Sequence, residues 1–351
     1  VILKKERVKN MGFQLQNSDF NKILNELKKE YKIYAPKRFE KRGTFSDTDM
    51  IRYGEIDSVE EIVWKEKSEY SPKEIIFPIT QTLFYFTEEE YKVPKVDDKK
   101  IIVFLRPCDI NGVRRLDTIF LKNGEHEDFY YKRLREKVKF VMIECKESFE
   151  NCFCVSMNGN YTDNYSIAVR FEDGQVTLDV KDEDFKGLFN KVGKEVDFTP
   201  EYVKENHVKV EVPEVDKMPL EIFNHEMWKE YSERCIACGR CNVSCITCSC
   251  FTTQDIPYED NPKAGERRRV WAGCHIDGFT DMAGGHSFRK EYGSRMRFKT
   301  LHKIYDYKKR FEENMCVGCG RCDDRCPEYI SFSTCINKLN KVLKEEEKDE
   351  E

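Results

Sequence analysis

Cys235-Ile-Ala-Cys238-Gly-Arg-Cys241-Asn-Val-Ser-Cys245 and Cys316-Val-Gly-Cys319-Gly-Arg-Cys322-Asp-Asp-Arg-Cys326 are two copies of one pattern, Cys-x2-Cys-x2-Cys-x3-Cys. Three closely spaced thiolates on a tight loop can hold three irons of a cubane, and the fourth corner then needs a distant thiolate. A zinc site would pair two Cys-x2-Cys units across a longer gap, and four thiols would satisfy one ion. Two complete runs therefore predict two [4Fe-4S] clusters.

Where such runs are duplicated, the last cysteine of each crosses to the other cluster. The expected sets are Cys235, Cys238 and Cys241 with Cys326, and Cys316, Cys319 and Cys322 with Cys245. Gly239, Gly318 and Gly320 are expected to let the backbone approach the cluster sulfurs. The stretch between the runs is too long for a minimal ferredoxin. With helical periodicity on both flanks, at Leu220–Glu233 and Arg297–Glu313, the second half is read as a mainly helical dicluster domain with an insertion. Lys263–Lys303 carries ten basic and four acidic residues. These charges are a solvated surface, an offset to anionic clusters, or a dock for an acidic partner.

Further out, the pattern changes. Ile75–Pro78, Ile101–Leu105 and Phe140–Ile143 are short apolar runs that read as buried strands. Asn111–Leu121 between the last two has helical spacing, so strand, helix and strand form a unit with parallel pairing. Asn17–Glu30 reads as a helix capped by Asn17 or Ser18, and Ala168–Leu178 as a hairpin turning at Asp173-Gly174. The fold class is α+β, an N-terminal α/β domain followed by a helical ferredoxin-type domain. Its expected divisions are an extension (1–10), the α/β domain (11–215, with a Pro-bearing linker over 199–219), the cluster domain (216–340) and a frayed acidic tail (341–351).

Eight cysteines lie outside the two runs. Cys108 and Cys145 follow the second and third apolar runs, and parallel strands bring their C-terminal ends to one edge, where open α/β sheets place ligands. Cys152 and Cys154 can fold back to meet them, which makes a third [4Fe-4S] site one reading and buried structural thiols the other. Cys248, Cys250 and Cys274, with His275, could supply an alternative corner ligand or a zinc site. Cys335 is read as a plain buried thiol, and the other histidines have no ligand spacing.

The remaining features exclude more than they assign. A formal net charge of -5 rules out a globally basic nucleic-acid binder. No apolar run approaches the roughly 20 residues of a membrane helix, so no membrane contact is expected. Val1–Asn10 is charged and lacks the apolar core of a signal peptide, which points to a cytoplasmic protein. Neither a dinucleotide fingerprint nor a phosphate loop is present. No cysteine set is left over for sirohaem. The chain reads as an electron wire without a catalytic residue of its own.

Arg106-Pro107-Cys108-Asp109-Ile110, Glu144-Cys145 and Asn151-Cys152-Phe153-Cys154 resemble a group of redox subunits. The group comprises the iron–sulfur electron-transfer subunit of anaerobic sulfite reductase and the β subunits of cytoplasmic sulfhydrogenases. Cys245–Phe251, Trp271–Cys274 and Ala283–His286 extend the likeness, which runs from Met11 to about Lys341. Phe45–Asp49, Ile51–Tyr53 and Pro78–Gln81 tilt it towards the sulfite reductase subunit. So does Cys245-Ile246, where the hydrogenase relatives tend to have Cys-Pro. The resemblance implies the third cluster at Cys108, Cys145, Cys152 and Cys154. It also implies two partners, a flavin subunit that oxidises NAD(P)H and a sirohaem subunit that reduces sulfite. A hydrogenase β subunit is the nearest alternative, and an iron–sulfur redox sensor is the alternative from another class.

Overall fold

The computed structural model describes residues 11–350. The expected extension 1–10 lies outside the described residues. The first half runs β1 (Met11–Gln16), α1 (Asn17–Leu27), β2 (Tyr31–Phe39), β3 (Met50–Glu55), α2 (Lys73–Ile76), β4 (Thr80–Phe86), β5 (Tyr91–Lys92), β6 (Lys100–Leu105), α3 (Pro107–Leu121), α4 (Phe129–Arg135), β7 (Val138–Ile143), β8 (Ile167–Glu172), β9 (Gln175–Val180), α5 (Glu183–Phe189) and β10 (Lys194–Asp197). The second half runs α6 (Lys229–Arg234), α7 (Arg240–Val243), β11 (Phe251–Tyr258), β12 (Asn261–Trp271), α8 (Tyr292–Leu301), a π-turn (His302–Asp306), α9 (Tyr307–Phe311), α10 (Arg321–Arg325) and α11 (Phe332–Glu350). The architecture is mixed α+β.

Eight strands form the main sheet in the order β10-β1-β9-β8-β7-β6-β2-β3. Its centre, β2-β6-β7-β8, is parallel, and both flanks are antiparallel. The continuous apolar runs of β6 and β7 are buried because helices cover both faces of this sheet. On one face α1 and α5 pack Phe20, Leu24, Phe185 and Phe189 against Phe13 and Val169. On the other, α3 and α4 contribute Ile110, Leu116, Phe120 and Tyr131. Ile246, directly after the first cysteine run, and Val317, inside the second, complete that second core. Each such fully buried apolar side chain contributes roughly 1.5–3 kcal/mol, so the cluster segments are anchored to the sheet domain by its own core. The hairpin β8–β9 turns at Asp173-Gly174 as expected, with Gly174 at φ 85°.

Several expectations need correction. Ile75–Pro78 is not a strand: Lys73–Ile76 is a helical turn between Pro72 and Pro78, burying Ile76 and Phe77. A four-residue apolar run does not carry enough period to separate strand from helix. Gln16, not Asn17 or Ser18, precedes the first helical residue of α1, and no side chain caps it. Leu220–Glu233 is not one helix but two short 3-10 turns followed by α6. The second half is not mainly helical between its cysteine runs. There, β11 and β12 form a hairpin that pairs with β4, giving a second sheet in the order β11-β12-β4-β5. This sheet crosses the expected division near residue 215. The stretch 199–219 is a strap across the first domain, with Val203 N donating to Cys145 O at 2.7 Å and Val210 N to Ser156 Oγ at 3.0 Å. The described part of the acidic tail is helical, as α11 continues to Glu350. Its Glu and Lys residues are good helix formers, and Lys341 pairs with Glu345 one turn on.

Candidate metal centre

The two cysteine runs fold alike. Ala237 and Gly318 take positive φ, 51° and 67°, and their N–H groups each approach the sulfur of the run's first cysteine, Cys235 and Cys316, at 3.4 Å. Gly239 and Gly320 follow at φ 70° and 72° and lead into α7 and α10. Gly318 and Gly320 also serve a close approach. A Cβ on Gly318 would sit 2.5 Å from the Phe153 carbonyl, and one on Gly320 2.1 Å from Asn151 O. Without side chains there, the second run lies flat on the segment carrying Cys152 and Cys154, and Phe153 N donates to Gly318 O at 2.8 Å.

Sixteen free cysteines are present, and twelve of them line three voids. Cage one, about 490 Å³ with its mouth, is lined by Cys235, Cys238, Cys241 and Cys326. Cage two, about 350 Å³, is lined by Cys245, Cys316, Cys319 and Cys322, with Cys241 in its wall. Cage three, about 330 Å³, is lined by Cys108, Cys145, Cys152 and Cys154, with Cys319 in its wall. The last cysteine of each run thus lies with the first three of the other. Cys108 stands in the first turn of α3 and Cys145 just past β7, at the C-terminal ends of neighbouring parallel strands.

The cages form a row. Cys241 and Lys299 line both cage one and cage two, and Cys319 lines both cage two and cage three. At one end Cys238 is exposed. At the other, cage three adjoins a cleft of about 1370 Å³, counting its open side, and Arg106, Cys145 and Phe149 line both.

Four thiols around a void suit a cubane better than a single ion. Among the described residues, no three His, Cys, Asp or Glu side chains stand close enough to hold one metal ion. That also removes the zinc reading of Cys248, Cys250, Cys274 and His275. Asn242 instead separates two of these thiols, its Nδ2 lying 3.6 Å from Cys248 Sγ and 3.4 Å from Cys274 Sγ. Cys335 is a buried thiol 3.5 Å from Thr300 Oγ1.

Burial pushes the Cys316 and Cys154 thiols up to about 12 and Cys319 to about 11. Thiols in this range are protonated at neutral pH until a metal displaces the proton, so loading the cages releases protons. Cys245 shifts the other way. The Cys248 thiol donates a hydrogen bond that holds it well below the usual range against the effect of burial, and Lys303 adds to this.

Sequence reasoning missed the polar walls of these cages. His275 Nδ1 is 3.6 Å from Cys235 Sγ, Asn206 Nδ2 is 3.6 Å from Cys154 Sγ, and Lys67 Nζ is 3.8 Å from Cys152 Sγ. None lies in a cysteine run; the sequence marks His275 only as a possible zinc ligand beside Cys274, and no local pattern marks Asn206 or Lys67. The basic insertion is largely used within the chain. Arg267 pairs with Asp255, Arg268 with Glu266, Arg269 with Asp128 and Arg295 with Asp277, while Lys299 and Lys303 turn inward.

Residues 234–330 match the model of the 4Fe-4S dicluster domain, a span that takes in both runs. This is an iron–sulfur protein. Over 349 residues it is 29% identical to sulfhydrogenase 2 subunit beta of Pyrococcus furiosus, covering 94% of this chain and 98% of the relative. No solved structure matches the chain. The iron–sulfur, electron-transfer character read from the cysteine runs agrees with both matches. The tilt towards a sulfite reductase component gains no support from them. Among the described residues no helix is long and apolar enough to cross a membrane.

Proposed function

We propose that the chain is the electron-relay subunit of a multi-subunit reductase, with a [4Fe-4S] cluster in each of its three cages. Cys235, Cys238, Cys241 and Cys326 would hold the first, Cys245, Cys316, Cys319 and Cys322 the second, and Cys108, Cys145, Cys152 and Cys154 the third. The observation that carries this reading is the row itself, in which Cys241 and Cys319 each stand in the wall between two cages. When bound, such clusters supply one-electron exchange, whereas hydride oxidation and multi-electron reduction belong to cofactors on other subunits.

The protein's own residues hold the thiolates in register and keep water away from the middle cage. Phe153, Val317 and Phe332 wall cage two, and all three are buried. The row meets the surface at its two ends, by Cys238 and at the cleft beside Cys145. We assign these ends to two partners, a flavin subunit that oxidises NAD(P)H and a catalytic subunit. The motifs at Phe45–Asp49 and Pro78–Gln81 support a sirohaem subunit that reduces sulfite to sulfide. The similarity to sulfhydrogenase 2 subunit beta over most of the chain favours a second reading, a sulfhydrogenase assembly.

Affinity purification of the complex under anaerobic conditions tests both. Sirohaem absorbance in the captured partner supports the sulfite reading, and nickel supports the second. The isolated chain is expected to accept electrons from a strong artificial reductant, and neither to oxidise NADH or NADPH nor to reduce sulfite. Replacing Cys319, which lines two cages, should stop NADH-driven sulfide formation while a dye that reduces the sirohaem subunit directly still supports it. Sulfide production by the pure chain would defeat the relay reading.

A further inference from the structure

Lys299, near the end of α8, and Lys303, in the π-turn that follows, are buried one helical turn apart. Their relative exposures are 4% and 3%. Lys299 lines cages one and two, and Lys303 lines cage two. Lys303 Nζ donates to Thr247 Oγ1 at 2.8 Å, and Lys299 Nζ lies 4.8 Å over the Phe332 ring. Among the described residues, neither ammonium is in ion-pair contact with a carboxylate. The acidic groups that face them are thiols, Cys241, Cys322, Cys274 and Cys248 for Lys299 and Cys245, Cys248 and Cys316 for Lys303.

Two like charges four residues apart repel, and a buried ammonium without a counter-ion is costly. A folded chain keeps such a pair where an anion fills the space it faces. Cage three is built differently. Two of the three cations that line it have carboxylate partners, Lys67 with Asp324 at 2.5 Å and Arg321 with Asp109 at 2.5 Å. Arg106 donates to the carbonyls of Trp64 and Glu66. Among the described residues, both lysines at cages one and two therefore lack a carboxylate partner, whereas at cage three only Arg106 does.

We propose that Lys299 and Lys303 are charge-compensating residues that raise the reduction potentials of the clusters in cages one and two, Lys299 acting on both and Lys303 on cage two. This rests on the reading that the cages hold clusters. A reduced cluster carries one more negative charge than the oxidised one, so a nearby fixed cation stabilises the reduced form more. The low local dielectric enlarges the effect.

The test is a redox titration of the full, cluster-loaded chain, followed by electron paramagnetic resonance. Signals are assigned from Cys238→Ser, Cys316→Ser and Cys154→Ser, one for each cage. Lys299→Met should move two of the three potentials to more negative values and Lys303→Met should move the cage-two potential, with cage three unchanged in both. Lys299→Arg and Lys303→Arg should keep wild-type potentials. Fully loaded Met variants with unmoved potentials would overturn the proposal, as would Met and Arg variants that shift alike, because the cause would then be packing. If the Met variants lose iron, retention by the Arg variants supports the proposal and loss in both overturns it. Failure of the wild-type chain to bind iron in these cages would instead sink the relay reading beneath it.

Discussion

Arg321 and Asp109 form a buried, two-pronged ion pair across the two halves of the chain, with Nη1 and Nη2 donating to the carboxylate oxygens at 2.5 and 2.9 Å. Asp109 directly follows the cage-three cysteine Cys108, and Arg321 sits between the cage-two cysteines Cys319 and Cys322. Ser68 accepts two more hydrogen bonds from the guanidinium, at its carbonyl (2.9 Å) and its hydroxyl (3.0 Å). Tyr53 OH reaches Asp109 Oδ2 at 3.3 Å. The pair is a strut between two cages. Arg240, its counterpart in the first run, is exposed.

Removing one member of this strut leaves an uncompensated charge in the interior, a loss of about 3–5 kcal/mol for buried pairs. Arg321→Met is expected to destabilise the chain by that order, and Arg240→Met by under about 0.5 kcal/mol, as for a surface change. Denaturant midpoints of the two variants, measured anaerobically, check this. Equal midpoints would mean that the strut carries no stability.

Gly320→Ala should disrupt cages two and three together. Its Cβ would lie 2.1 Å from a backbone oxygen, at a φ of 72° that L residues resist. Gly187→Ala, a helical position with nothing within 4 Å of the added Cβ, is the control and should gain roughly 0.4–1 kcal/mol. Iron content and thermal midpoint together separate the outcomes. A Gly320→Ala protein with full iron would show that the flat docking of the second run on Asn151–Cys154 is dispensable.

If each cage holds four irons, the anaerobic wild-type chain should contain about 12 irons, with as many acid-labile sulfides. Cys154→Ser should lower this by roughly four. The sheet core should survive, because its strands are buried by α1, α3, α4 and α5 rather than by the cage. Unchanged iron would make Cys154 a bystander.

Burial lowers the His302 imidazole to about 4, with Lys303 and Arg289 adding to the shift. An unfolded chain protonates this group near its ordinary value of about 6.5. The folded state therefore binds fewer protons between those values, and stability is lost as pH falls from about 6.5 towards 4. The slope is at most about 1.4 kcal/mol per pH unit from this one group. His302→Gln should flatten that part of the stability profile, read as the difference in denaturant midpoint between wild type and variant at each pH.

Much of the centre is legible in the residues alone. Spacing within each cysteine run is local chemistry, and thiolates on a tight loop need the positive φ found at Gly239, Gly318 and Gly320. Apolar runs dense enough to be buried on both faces mark β6 and β7, and parallel pairing of those strands places Cys108 and Cys145 on one edge. Tertiary structure alone decided the rest. The pairing of β4 with β12 joins segments about 180 residues apart, and the polar β11–β12 hairpin, exposed along β11, carries no apolar alternation to announce it. The repeat Cys-Gly-Arg-Cys leaves Arg240 in solvent and buries Arg321, because only the second run lies on Asp109 and Ser68. Likewise Lys299 and Lys303 look like solvated charges along the chain, and only the fold turns them towards the sulfurs. Spacing along the chain specifies which groups can hold a cluster. The charges that surround it are set by residues brought close only in three dimensions, where burial makes each of them count.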